Sequence, residues 1–361
     1  IESPYVVGIP LTEEQQVFTG RSDISARIQH LLLNRHSPSL MLYGQRRMGK
    51  TSLLYNLGRL LPSTIVPVFV DLQGPPTQAE GSAGFLYHLA DAMADSARRQ
   101  RDLSVFVPPR EAFSQDPFTR FYEWLDDFDA AIERRTALLM LDEFEALDRA
   151  FSAKRLDGDE VLSMLRHLIQ HRPQFKVLLS GSHTLVEFER WASYLINVQV
   201  IKVGYLTESE ARQLVERPVP DFQLQYEARA SKRVLALTRC HPFLIQLLCA
   251  EIVALKNEQA PAARRRAVIE DVNDAVPPAL ESGALFFSDI ERNQVDENAL
   301  SLLRLISSRR EGVVAKKKLL RKNFSGDFDS ALEVLRRREL IEEARGGYRV
   351  QVELIRRWFT R

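Results

Sequence analysis

Cysteine is nearly absent: the 361 residues contain two, Cys240 and Cys249. Nine positions apart, they match no metal or redox spacing, and they are too few for a disulfide scaffold. A reducing compartment, the cytoplasm, is therefore expected. Also missing is any run of the ~18–20 apolar residues a spanning helix needs. The greasiest stretch, Ala137–Leu141, stops at Asp142, so no membrane partner is expected. No secretory leader opens the chain, and its first residue is Ile1 rather than Met, which predicts a piece of a longer protein. Internal repeats are missing too. His30, His36, His88, His167 and His171 form no ligand cluster, so a protein metal centre is not expected. What remains is ordinary for a globular chain, with 45% hydrophobic and 27% charged residues. That composition excludes long disorder, collagen-like repeats and a coiled-coil rod. At ~100–200 residues per domain, two or three domains are expected.

Net charge is also scarce, at +1, but only by cancellation. Glu297–Arg361 carries 16 Lys+Arg against 9 Asp+Glu, or +7; the rest carries 33 against 39, or −6. A basic C-terminal segment on an acidic body raises the question of nucleic acid.

Five short apolar runs read as strands: Ser39–Tyr43, Ile65–Asp71, Ala137–Leu141, Lys176–Leu179 and Val198–Val203. Lys50–Leu61, Phe85–Arg101 and Phe118–Arg134 have helical spacing, and Gly74–Gly84 reads as a loop. Strands separated by helices imply an α/β fold with a mostly parallel, buried sheet. After Gly204 the pattern turns helical. Thr207 and Glu210 can form a capping box. Tyr226–Leu237, Pro242–Lys256 and Val268–Leu280 read as helices, with Asn257–Arg266 a loop. Glu297–Ser308, Lys316–Asn323 and Asp327–Leu340 follow, then Leu340–Glu343 and Tyr348–Val352 flank Gly346-Gly347, a hairpin signal. Three helices and a hairpin is winged-helix order. The expected domains are residues 1–204, an α/β domain; 205–290, a helical lid; and 291–361, a winged helix.

Gly44-Gln45-Arg46-Arg47-Met48-Gly49-Lys50-Thr51, followed by Ser52, fits G-x-x-x-x-G-K-[ST], the Walker A pattern. It follows a predicted strand and opens a predicted helix, as that motif requires. Gly44 and Gly49 permit backbone shapes and close approaches that a β-carbon would block. Successive N–H groups then form an anion nest at a helix N-terminus. Lys50 is expected on the β- and γ-phosphates of ATP or ADP, and Thr51 on Mg²⁺. The bland alternative is a surface turn at a helix start. Asp142-Glu143 closes an apolar strand, where parallel sheets place ligands. Asp142 suits the Mg²⁺ shell, and Glu143 the water that attacks the phosphate. The alternative for this pair is two acids favoured by a helix dipole. Ser180, Ser182 and His183, at the end of the fourth strand, could sense the γ-phosphate or merely cap the next helix. Arg166, Arg172 and Arg190 are candidates for an arginine finger acting in trans.

Phe18-Thr19-Gly20-Arg21, the Gln-Arg-Arg-Met-Gly-Lys-Thr-Ser stretch, LLMLDEFE, LLSGS, Gly204-Tyr205-Leu206-Thr207 and Cys240-His241-Pro242-Phe243 occur in an order that resembles the STAND class. These are signal-transduction P-loop ATPases related to AAA+ proteins and archaeal-type ATPases. The resemblance covers nearly the whole chain, from about Val17. It implies an ASCE/AAA+-like sheet with the fourth strand between the Walker A and Walker B strands. It places Phe18 and Arg21 near the adenine, and makes Pro242 the base-packing proline of a G-x-P element in which Cys240 replaces the glycine.

Two functions compete. In the first, ATP binding and slow hydrolysis set the orientation of the helical and winged-helix half, controlling self-association or a fused or interacting effector outside this fragment. In the second, the chain is a DNA-binding ATPase of origin-recognition or transposition-regulator type, supported by Lys316–Lys318, Arg321-Lys322 and Arg336–Arg338. The first is preferred. The helix that would read DNA begins with Asp327 and Asp329 and adds Glu333, while its arginines sit at the far end, where helix stability already favours them. An inactive scaffold is disfavoured, because Lys50, Thr51, Asp142 and Glu143 are all present.

Overall fold

Short apolar runs that alternate with helices can bury both faces of a sheet only if the strands lie side by side and parallel. The computed structural model describes all residues except 13–16, 18–19, 34–38, 183–190, 192–193 and 196–197. In it β1 (Leu40–Tyr43), β2 (Ile65–Asp71), β3 (Thr136–Asp142), β4 (Phe175–Gly181) and β5 (Gln199–Lys202) form one parallel sheet. Its order is β2-β3-β4-β1-β5. Thus β4 separates β1 from β3, as the resemblance implies. The carboxyl ends of these three strands therefore sit side by side.

Among the described residues, the α-helices of this unit are α1 (Ser22–Leu33), α2 (Lys50–Leu60), α3 (Pro75–Gln78), α4 (Gly81–Arg101), α5 (Pro117–Ile132), α6 (Glu145–Ser152) and α7 (Gly158–His171). Val68, Val70, Leu139, Leu141 and Val177 of the sheet join Phe85, Leu89, Trp124 and Phe128 of α4 and α5 in one buried core. Each such side chain contributes about 1.5–3 kcal/mol on leaving water. That burial holds the strand ends rigidly enough to carry a site. The segment Gly74–Gly84 is not simply a loop. Pro75 is at home in the first turn of α3, whose missing N–H costs nothing there, and Gly81 starts α4 at φ 79°.

Residues Gly20–Gly204 belong to this compact unit, and Tyr205–Arg361 with Ile1–Ile9 to a second. Helices α8 (Glu208–Glu216), α9 (Ala228–Thr238) and α10 (Pro242–Glu258) open the second unit. The Thr207–Glu210 capping box forms as expected. Strands β6 (Gln225–Tyr226) and β7 (Arg266–Ala267) pair in parallel, so Tyr226 lies in a strand and not in the helix expected there. The single helix expected over Val268–Leu280 is two, α11 (Ile269–Asp274) and α12 (Val276–Ser282). Pro277 cannot sit in a helix interior but is tolerated in a first turn. α13 (Ala284–Asp289) follows.

The C-terminal segment holds α14 (Glu297–Ser307), β8 (Ala315–Lys316), α15 (Lys317–Asn323), α16 (Phe328–Arg337), β9 (Ile341–Ala344), β10 (Gly347–Val350) and α17 (Glu353–Trp358). Its three strands form an antiparallel sheet in the order β8-β10-β9. The hairpin turn is one residue earlier than the Gly-Gly signal implies. Arg345 and Gly346 take the positive φ values, 45° and 74°. Gly347 begins β10, where a β-carbon would overlap the Ala315 carbonyl. Among the described residues, no helix is long and apolar enough to cross a membrane.

Candidate nucleotide site

β1 delivers the chain at Tyr43 into the loop Gly44–Gly49, and α2 begins at Lys50. The two glycines are required for different reasons. A β-carbon at Gly44 would overlap the backbone carbonyl of Val203, just past β5. Gly49, at φ 86°, takes a left-handed shape that L-residues resist. Arg47 shares that shape at φ 62°. From outside, Arg21 braces the loop: its Nη2 donates to the Met48 carbonyl at 2.7 Å, and Met48 is buried.

Lys50 is 5% exposed, and its ammonium donates to the carbonyls of Gly44 (2.7 Å) and Gln45 (2.8 Å). Burial pushes its pKa down, against the pull of Glu143, Asp142 and Glu145. One residue on, Thr51 Oγ1 donates to Asp142 Oδ2 at 2.6 Å. Ser52 faces elsewhere, with its Oγ accepting the Leu11 N–H at 2.9 Å. Asn56 Nδ2 donates to the Leu11 carbonyl at 3.1 Å.

Asp142 ends β3 and is 2% exposed. Burial raises its pKa, opposed by the Thr51 hydrogen bond. Its Oδ1 is buried and has no hydrogen-bond partner among the described residues. Glu143 follows at φ 55°, a left-handed conformation that costs a non-glycine residue of order 1–3 kcal/mol and clusters at functional sites. Its carboxyl is pushed up by burial and then by Asp142 and Glu145, with Lys50 and Arg46 opposing. Ser180 stands opposite Asp142 in the strand register and is fully buried. The Ser182 N–H donates to Glu145 Oε1 at 2.5 Å.

The expected residues from Gly44 to Ser52 are therefore gathered with Asp142, Glu143 and Ser180 at adjoining strand ends. Phe18, His183 and Arg190 lie outside the described residues. Pro242 occupies the first turn of α10 in the second unit. Beside it Cys240 adopts φ 61°, the left-handed shape that the glycine of a G-x-P element would supply. Arg172 is not available as a finger: it pairs with Asp129 (2.6 Å) and Asp126 (2.8 Å) and is 12% exposed. Glu145 was not expected at all. Its only signal is being a third acid, one place beyond Phe144, at the first position of α6.

The residues fit a nucleoside triphosphate with a divalent cation. A buried ammonium inside a glycine-bounded loop suits a phosphate chain. A buried carboxylate oxygen without a donor, beside a hydroxyl, is a hard-cation donor set.

Residues 33–188 match the family model described as an AAA domain. No curated protein matches the chain. The Walker-type ATPase of Pyrococcus abyssi superposes with a TM-score of 0.67 at 15% identity, over 99% of each chain. The ORC2 protein of Aeropyrum pernix, solved in ADPNP–ADP complexes, does so with a TM-score of 0.60 at 16% identity, over 98% of this chain and 96% of that one. These likenesses are of fold. A STAND protein with a tetratricopeptide repeat sensor from Pyrococcus horikoshii matches over 99% of this chain and 44% of that one, at 16% identity. Its TM-score of 0.39 is too low to carry an argument.

Proposed function

We propose that this chain, a P-loop ATPase of the AAA+ type, works as a slowly hydrolysing molecular switch. The observation that carries the reading is the meeting of Lys50, Thr51, Asp142 and Glu143 at one set of strand ends, with Thr51 and Asp142 2.6 Å apart. In this reading the backbone of Gly44–Ser52 cradles the phosphates, Lys50 holds the β- and γ-groups, and Thr51 and Asp142 hold Mg²⁺. The cation supplies charge neutralisation on the phosphate oxygens. Glu143 accepts a proton from water as its oxygen attacks the γ-phosphorus. The bond from that phosphorus to the β-bridging oxygen breaks, leaving ADP and phosphate. Burial and the neighbouring acids raise the Glu143 pKa, which makes its carboxylate a stronger base.

Coupling to the second unit has a covalent route. The Val203 carbonyl abuts Gly44, and one residue later, at Gly204, the chain leaves the α/β unit. We take the working division to be an α/β domain to residue 204, a helical lid to 290 and a winged helix over 291–361. An effector outside this segment, or nucleotide-dependent self-association, would receive the signal. Lys50→Ala should weaken ATP binding by orders of magnitude, because the phosphates lose their cation. Glu143→Gln should bind ATP normally yet slow single-turnover hydrolysis at least 100-fold, on the order of what one essential base contributes. Wild-type affinity in the first variant, or wild-type turnover in the second, refutes the assignment.

A further inference from the structure

Glu143 must hold a left-handed backbone between two regular elements, and something must enforce that shape. On its N-terminal side β3 is locked in the sheet. On its C-terminal side Phe144 and then Glu145 reach across to the end of β4 and to residues beyond it. The Phe144 N–H donates to the Ser180 carbonyl at 3.1 Å, and the Phe144 ring packs edge-on against Trp191 at 5.2 Å. The second contact is Glu145, 6% exposed, whose Oε1 accepts the Ser182 N–H at 2.5 Å. Gly181 lies under this bond: a β-carbon there would overlap both Glu145 Oε1 and the Phe144 ring. The glycine is thus fixed by the carboxylate and the Phe144 ring and not by its own dihedrals.

We infer that Glu145 is a positioning residue for ATP hydrolysis. Its carboxylate ties the turn carrying Glu143 to the end of β4, fixing the water-activating acid and the Ser180–Ser182 segment as one rigid piece. The inference rests on the hydrolytic reading of Glu143. Burying a carboxylate is costly unless it is hydrogen-bonded. Here the bond to Ser182 and the N-terminus of α6 offset that cost, and the bond joins the two strand-end turns. A misplacement of about 1 Å can cost about 100-fold in rate, so a restraint this close to Glu143 should appear in turnover and not in affinity.

The test is single-turnover ATP hydrolysis and nucleotide affinity in the full chain, with wild type and Glu143→Gln run alongside. A wild type that hydrolyses and a Glu143→Gln variant that does not establish the underlying reading independently. Glu145→Ala should then lose about 10–100-fold in rate, with affinity within about threefold of wild type. Glu145→Gln keeps a carbonyl oxygen for the Ser182 N–H and should recover most of the rate at neutral pH, with the acidic limb of the pH profile moved downward because Glu145 no longer raises the Glu143 carboxyl. Gly181→Ala, which pushes on both the carboxylate and the Phe144 ring of the same turn, should lose at least as much rate as Glu145→Ala and covers the case in which Glu145→Ala does not fold. Wild-type turnover in both Glu145→Ala and Gly181→Ala overturns the inference. So does a Glu145→Gln variant as slow as Glu145→Ala, because that outcome makes the charge, and not the tie, the active feature.

Discussion

At the scale of single residues, the site is costly to the fold. Burial raises the Asp142 carboxyl and lowers the Lys50 ammonium, so both charged forms are less stable here than in water. For an acid whose folded pKa is raised, the stabilising contribution is complete below the unfolded value. It is lost as pH rises through the folded one. At pH 7 Asp142 is therefore a net liability without a cation. Asp142→Asn keeps an acceptor for Thr51, and Lys50 keeps Glu143 and Glu145 as counter-charges. The nucleotide-free variant should melt at or above the wild-type temperature at pH 7. Each kcal/mol gained is worth about 2–4 °C, and the gap should close on acidification into the carboxyl's titration range. Mg²⁺-dependent ATP binding should fall at the same time. Thermal melts across pH check this, and a variant less stable than wild type at pH 7 contradicts it. The residues of this site were mostly legible in the sequence, because the motif spacing encodes a local loop. Glu145 was not. Its importance comes from Ser182, 37 positions away, and no local pattern announces such a partner.

At the scale of elements, legibility followed periodicity. The central strands appeared because continuous burial leaves continuous apolar runs, as in β2 and β3; edge strand β5 buries only Ile201 within its four residues and showed through β-branched residues instead. The two-residue strands β6 and β7 are too short to leave a pattern. Pro75 and Gly81 misled because residues that open helices also mark loops; at Pro277 the miss ran the other way, since the apolar pattern carries on across a proline that starts a new helix. The turn from α9 to α10 carries the sharpest element-level tension. Arg239 and Cys240 both have positive φ, 54° and 61°, and the Cys240 carbonyl accepts the Leu206 N–H at 3.0 Å. A left-handed L-residue costs about 1–2 kcal/mol. Cys240→Gly should therefore match or exceed wild-type stability despite losing a half-buried side chain. Cys240→Val should fall below it, because β-branched residues resist this region most. Urea melts decide, and the reverse ranking would show that the turn is not strained.

At the scale of the whole molecule, the question is what the basic C-terminal segment does. Part of its charge is engaged within its own unit, and two of its acids take cations from the helical part. Arg357 and Arg233 share Glu311, at 3.1 and 2.5 Å, and Arg239 and Arg349 share Glu342, at 2.9 and 2.6 Å. Arg356 pairs with Glu353 at 2.7 Å, and Arg321 pairs with Asp329 at the start of α16. Trp358 of α17 stacks on Phe287 of α13, with centroids 5.2 Å apart. Exposed pairs contribute little singly, yet those of Arg233 and Arg239 join the segment to the helical part, while Asp327 and Asp329 at the start of α16 oppose phosphate there. DNA binding should thus be weak, with a shallow salt slope. Titration at two salt concentrations tests this. Tight binding with a steep slope that Lys316–Lys318→Ala flattens would favour the DNA-binding reading instead. The switch claim itself is tested most directly by hydrogen exchange over Tyr205–Arg361 with ADP and with a non-hydrolysable ATP analogue. A ligand can shift a conformational equilibrium only through differential interaction with its states. The switch predicts protection in this unit that differs between the two nucleotides and loses that difference in Lys50→Ala. Identical protection with both nucleotides, each shown to be bound, would contradict it.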